Sequence, residues 1–315
     1  MRSLDMRRHQ GSPLLQPLRG LFLFALLLVL GSGLAAASDL HPVRHGEGRL
    51  WRVERGDAPA SHVMGTMHVT DPRVRDLPAP IREAFEASEQ AAFELLFTPE
   101  ERRTLSQGTA APSGPPLAKV VDRETYDKAV ALATRYGIPA QAVDRMPPGA
   151  LAVLFQTPPD EFRRRAEGDL FLDLWLIQWA YDLGMQVVSL EKLEEQLALF
   201  DAAPSQDQAE ILREVLTQLE EEPDALESLI EDYLAGNMIP AYQRVEAMAR
   251  EGKDPEALRF KEAFLDARNR VMVERMVPLL QRGKAFVAVG ALHMPGEEGI
   301  LHLLEQRGYR VTRVY

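Results

Sequence analysis

Ser61–Asp71 reads SHVMGTMHVTD, and this stretch decides the fold. His62-Val63-Met64 has the character of a short strand, Gly65-Thr66-Met67-His68 follows it, and Asp71-Pro72 is turn chemistry. The arrangement returns near the far end. Ala285-Phe286-Val287-Ala288-Val289 is a buried-strand pattern that runs into Gly290-Ala291-Leu292-His293. G-x-x-H therefore occurs twice, each time just after a predicted strand. Glycine lets the chain turn sharply or lets another group approach the backbone closely. In open α/β sheets, ligands bind outside the carboxyl ends of the strands. The expectation is that His68 and His293 face one site there.

The surrounding chain bounds what that site can be. Its 315 residues are 46% hydrophobic and 26% charged, enough to bury a sizeable core. The net charge of −11 argues against nucleic acid as partner, because phosphate neutralisation needs clustered Lys and Arg. There is no cysteine, which excludes disulfides, thiolate catalysis and Cys-type zinc sites. Arg2, Arg7, Arg8 and Arg19 precede the apolar run Leu21–Leu30, and Leu34-Ala35-Ala36-Ala37 ends in an A-x-A pattern. This is the layout of a secretory signal, with cleavage expected after Ala37 and a periplasmic or secreted product. An uncleaved membrane anchor is the other reading of the segment. No later stretch is long and apolar enough to span a bilayer. The organisation expected is a signal peptide at 1–37 and a single α/β domain at 38–315.

Read in order, Leu50–Glu54 alternates apolar and polar, and Gly56-Asp57-Ala58-Pro59 is a turn, so this strand and the next form a hairpin. Pro78–Ala92 has helical spacing, and Ala91–Leu96 reads as a buried strand carrying Glu94. A carboxylate in an apolar run costs on the order of several kcal/mol unless paired or coordinated. Glu94 is therefore either a buried functional acid or a surface residue at a helix end. Further helices are expected at about 123–136, 148–156 and 169–183, the last stopping at Gly184. Gln186–Leu190 is a strand with Glu191 at its end. From 192 to 282 the pattern is almost wholly helical and reads as a cap or insert on the sheet. A long helix near 255–282 carries Arg268 and Asn269, and a helix and final strand follow the second G-x-x-H.

Standard catalytic signatures such as H-E-x-x-H, G-x-S-x-G and Walker A are missing. The ligand types that remain are imidazole, carboxylate and water. Two histidines with one or two carboxylates suit a divalent ion such as Mn, Co, Zn or Fe, and a second carboxylate can serve as general base. Bland readings stand beside these. Glu191 can cap the next helix, Arg268 can bridge to Asp266, Asp173 can be a structural partner within its helix, and His302 falls mid-helix. Trp175 and Trp179, four apart, read as core packing.

Leu50-Trp51-Arg52-Val53 before Gly65-Thr66-Met67-His68, with Gly290-Ala291-Leu292-His293 near the end, resembles the TraB/PrgY/GumN family, whose animal relatives are the TIKI proteases. Glu94 falls at that family's strand glutamate. Leu172-Asp173, Ser189-Leu190-Glu191 and Glu195-Gln196 look like its central stretch, and Arg268-Asn269 like its arginine-asparagine pair. The resemblance implies an α/β fold similar to the erythromycin-esterase and ChaN-like group. It implies metal-dependent peptidase chemistry in which His68, Glu94 and His293 are metal ligands or their neighbours. Glu191 would then be a second acid, and Arg268 an anchor for a substrate carboxylate or oxyanion. The function expected is a metal-dependent hydrolase of a peptide or small molecule. The rival is a binding protein for a peptide signal or haem iron, without chemistry.

Overall fold

Alternation along the strands sorts the core into two layers. Val63, Val287 and Val289 point to one face of a sheet, and Met64, Phe286 and Ala288 to the other. The computed structural model describes residues 42–96, 115–196, 205–251 and 261–315. The predicted signal peptide at 1–37 lies outside them. Six strands form one sheet: β1 (Leu50–Glu54), β2 (Ser61–Thr66), β3 (Gln90–Phe93), β4 (Gln186–Ser189), β5 (Ala285–Gly290) and β6 (Arg310–Arg313). Their order is β4-β3-β5-β2-β1-β6. The pairs β4–β3, β3–β5 and β5–β2 are parallel, while β1 is antiparallel to both β2 and β6. The predicted hairpin is β1–β2, and the fold is mixed α/β as expected.

β5 is central, with Ala285 through Val289 all fully buried. That matches its unbroken apolar run, as parallel strands covered on both faces require. Because β2, β5 and β3 are adjacent and parallel, their carboxyl ends open on one edge of the sheet. The G-x-x-H segments leave from the ends of β2 and β5, and Glu94 is the first residue past β3.

The predicted helix at Pro78–Ala92 is shorter, Ala79–Glu86. The sheet wins the remainder: Gln90–Phe93 is fully buried and paired on both sides, with β4 and β5. The helical stretch from 192 to 282, read as one cap, distributes among three cores. Ser205–Glu221 joins Leu151 and Phe155 in a helical cluster away from the sheet, through Leu212, Val215 and Leu216. Ala225–Leu234 and Ile239–Glu251 lay Ile230, Tyr233, Ala241 and Tyr242 on one face of the sheet. Ala267–Arg282 lays Met272, Val273 and Met276 on the other. Trp179 stacks on Phe85 at 4.6 Å between ring centroids and lies 5.1 Å from Trp175, so the tryptophan pair is packing, as read. Among the described residues no helix is long and apolar enough to cross a membrane.

Candidate metal centre

Three strand ends deliver the three expected side chains to one point. A methyl group built on Gly290 would lie 3.0 Å from Glu94 Oε1, 3.5 Å from His293 Cδ2 and 3.6 Å from His68 Nε2. His68 sits just beyond β2, and His293 ends the short 3-10 turn Ala291–His293 after β5. His293 Nε2 is 3.7 Å from Glu94 Oε1. The same carboxylate oxygen accepts the Gly290 N–H at 2.5 Å. Glu94 thus turns inward rather than onto the surface, with 11% of its side chain exposed.

Each histidine is held from behind. Asn269 donates from Nδ2 to the Glu298 carbonyl at 2.8 Å, which turns its Oδ1 toward His293 Nδ1 at 2.5 Å. That pattern assigns the proton to Nδ1 and leaves the Nε2 lone pair facing Glu94. His68 Nδ1 lies 2.9 Å from Asp173 Oδ2, whose other oxygen accepts the Thr66 hydroxyl at 2.7 Å. The contact with His68 is close but off the hydrogen-bond axis. Asp173, read from sequence as a partner within its own helix, instead reaches across to β2 and its histidine. An imidazole fixed through one nitrogen presents the other to a ligand, as metal-binding histidines do.

The acids and Arg268 form a second tier. Arg268 donates from Nε to Glu191 Oε1 at 2.8 Å and from Nη2 to Glu191 Oε2 at 2.6 Å. It also donates from Nη2 to Glu94 Oε2 at 3.1 Å and from Nη1 to the Phe264 carbonyl at 3.1 Å. Gln196 donates to Glu191 Oε2 at 2.8 Å. Both oxygens of Glu191 are thus engaged by Arg268 and Gln196. Arg268 in turn faces Glu94 and Glu191, not Asp266, which pairs with Lys261 at 2.7 Å. Its guanidinium donates to two protein carboxylates and a backbone carbonyl.

Electrostatics follow from this packing. Burial, the largest influence, pushes the Glu94 carboxyl up. The charges of His293, Arg268 and His68 and the Gly290 N–H outweigh it and lower the group to about 2. Burial also dominates at His293, and with Arg268 and His68 it depresses the imidazole to about 3 against the pull of Glu94. A histidine neutral to that pH lends Glu94 no charge near neutrality. There the carboxylate rests on Arg268 and the Gly290 amide. The Arg268 guanidinium is itself raised: burial opposes its charge, and the bonds to Glu191 and Glu94 overcome that.

Several contributors were missed in the sequence. The helix Pro159–Glu167 was passed over, although Pro159, Asp160 and Glu161 are helix-start residues and Gly168 ends it at φ 104°. Its Glu161 is buried and accepts the Thr70 N–H at 2.9 Å, the Thr70 hydroxyl at 2.7 Å and Arg165 Nε at 2.7 Å. Arg165 also donates to the His68 carbonyl and lies over Phe171 at 5.1 Å, while the His68 ring meets Phe171 edge-on at 5.7 Å. The loop carrying His68 is thereby pinned. His302 lies elsewhere, paired with Glu297 and Glu305.

Among the described residues, no group of three or more histidine, aspartate or glutamate side chains is placed so that it could hold a metal ion. Imidazole and carboxylate are nevertheless donor types that divalent ions take. Glu94 Oε1, His68 Nε2 and the His293 ring, through Cδ2, border the space a Gly290 methyl would fill; His293 is hydrogen-bonded through Nδ1 to Asn269, and His68 Nδ1 lies 2.9 Å from Asp173.

Among known proteins, the metalloprotease TIKI1 of Danio rerio is 27% identical over 311 residues, covering 83% of this chain and 62% of that protein. The metalloprotease TIKI homolog of Amphimedon queenslandica is 24% identical, covering 84% and 61%, and human metalloprotease TIKI1 is 26% identical, covering 83% and 61%. The chain thus spans about three fifths of the length of these curated relatives. No solved structure matches it significantly. The family description TraB/PrgY/gumN matches residues 49–313, from the residue before β1 to the last residue of β6, and the chain belongs to that family.

Proposed function

We propose that this protein is a metal-dependent hydrolase acting on peptide bonds, with His68, Glu94 and His293 as the residues that hold the ion. The observation that carries the reading is the convergence of Glu94 Oε1, His68 Nε2 and the His293 ring around the Gly290 point, with His293 Nε2 3.7 Å from Glu94 Oε1. The relatives' description as metalloproteases supports it. A divalent ion such as Mn, Co, Zn or Fe would supply Lewis acidity to a water molecule and to the scissile carbonyl. The chain's own groups do the rest. His293 stays neutral and therefore available as a donor. Glu94 stays ionised, and an acid held that low is a weak base, better suited to ligation than to proton transfer. Arg268, fixed by Glu191, keeps positive charge 3.1 Å from Glu94.

The pattern of residues 1–37 supports export to the periplasm or medium, which N-terminal sequencing of the processed protein tests. For the site, elemental analysis and cleavage of a peptide library are compared for the wild type, His68→Ala and His293→Ala. Both variants are expected to lose metal and turnover while keeping the wild-type circular dichroism. Retained cleavage in either, or cleavage insensitive to chelators, overturns the mechanism. A visible absorption band on haem titration without any cleavage would favour the binding-protein alternative.

A further inference from the structure

The two histidines are braced by chemically unlike partners. Behind His293 stands a neutral amide, Asn269, itself tied to a backbone carbonyl. Behind His68 stands a carboxylate, Asp173, buried to 6% exposure in the first turn of the helix Leu172–Asp182. A helix N-terminus favours an ionised acid. Arg165 lies within electrostatic reach of that acid and also donates to the His68 carbonyl. The Thr66 hydroxyl occupies Oδ1, which fixes the rotation of the carboxylate and leaves Oδ2 2.9 Å from His68 Nδ1, off the hydrogen-bond axis but close enough for its negative charge to favour a proton on that nitrogen over a lone pair. Thr66 is two residues before His68 on the same chain, so acid, ring and hydroxyl form one short brace.

We propose that Asp173, steadied by Thr66, is the positioning residue of His68: it keeps the proton on Nδ1 and so leaves the Nε2 lone pair directed at the Gly290 point. A carboxylate behind an imidazole also makes the ring a stronger donor, whereas an amide only orients it. His68 is therefore the stronger of the two imidazole donors, although it is the more exposed, at 15% against 4% of the side chain. The brace itself requires no ion. Its consequence for metal affinity rests on the reading under Proposed function.

Imidazole nitrogen–proton correlation spectra of the metal-free, full-length protein at mildly alkaline pH test the brace directly. The wild type is expected to show His68 protonated on Nδ1, and Asp173→Ala to shift it toward the Nε2–H form that unconstrained side chains favour. Asp173→Asn keeps an acceptor and is expected to keep the Nδ1 proton, which preserves the test if the alanine variant fails to fold. Titration with Zn or Mn salts is the second readout. Asp173→Ala should bind about 10–100-fold more weakly, with Asp173→Asn between it and the wild type. A wild-type His68 protonated on Nε2, or a tautomer unmoved in Asp173→Ala, overturns the proposal. A tautomer that shifts in a protein that binds no metal upholds the brace and sinks the metal reading instead.

Discussion

Replacing Gly290 with alanine adds one methyl group at the point where the three strand ends meet. The backbone there has φ −51° and ψ 137°, open to any L-residue, so the change introduces no conformational strain. Restricting the unfolded chain is worth about 0.4–1 kcal/mol in favour of the variant. Against this, the new carbon lies 3.0 Å from Glu94 Oε1, and forcing a methyl into a packed site costs about 1–3 kcal/mol. The balance is a loss of roughly 0–2.6 kcal/mol, against a total stability of about 5–15 kcal/mol for a folded domain. The variant should fold. Metal binding should not survive equally well, because the methyl lies 3.0 Å from Glu94 Oε1 and 3.6 Å from His68 Nε2, within the space an ion bound to both would need. A hundredfold fall in affinity corresponds to about 2.8 kcal/mol and is the least the geometry predicts. Urea unfolding gives the first number, and titration of the metal-free protein with a divalent ion gives the second. Wild-type affinity in a folded Gly290→Ala protein would refute the assignment of this point as the site.

Gly65→Ala should behave in the opposite sense, because its methyl would meet Ala291 Cα at 3.0 Å and Ala291 Cβ at 3.1 Å. It should destabilise by about 1–3 kcal/mol in urea, with metal affinity reduced only through displacement of the second motif. Arg268→Met leaves Glu94 and Glu191 buried without their cation and should cost about 3–5 kcal/mol, with Arg268→Lys restoring part of it in the same assay. Stability of the metal-free protein should fall with acid in two overlapping steps. His293 is depressed from 6.5 to about 3, so the unfolded chain takes up its proton first and stability is lost as pH drops through that window. Glu94 is depressed from 4.5 to about 2, so its contribution is present above 4.5 and is lost on the way to 2. Urea midpoints measured against pH check this, and His293→Gln should flatten the upper step.

The sheet was legible because its signals were local. The β5 run from Ala285 to Val289 and the alternation in Leu50–Glu54 each carry their own periodicity. His68, Glu94 and His293 stood out in the sequence because each lies one to three residues past the end of a strand. Their partners were hidden because they depend on contacts distant in the chain. Nothing adjacent to Asp173 marks it as facing Thr66 and His68, since its helical spacing is that of an ordinary first-turn acid. Arg165 looked like one of three successive arginines, Arg163-Arg164-Arg165, until folding buried it against Glu161 and the His68 carbonyl. Glu191 had an acid's spelling and two open readings. Its main partner, Arg268, arrives from a helix far along the chain to bond both its oxygens, a contact no local pattern announces.

The repeated G-x-x-H also means two things. In the parallel ladder Thr66 lies opposite Gly290, and Gly65 opposite Val289, so the motifs stand one residue out of step. The offset gives the two glycines different neighbours. Gly65 has Ala291 pressed against it, which lets the second turn dock on the first. Gly290 has Glu94, His68 and His293 around it, and its missing side chain leaves the space between them unfilled. A symmetric pairing would have put glycine against glycine and lost one of the two functions. One glycine therefore brings the histidine loops together, and the other keeps open the space between them.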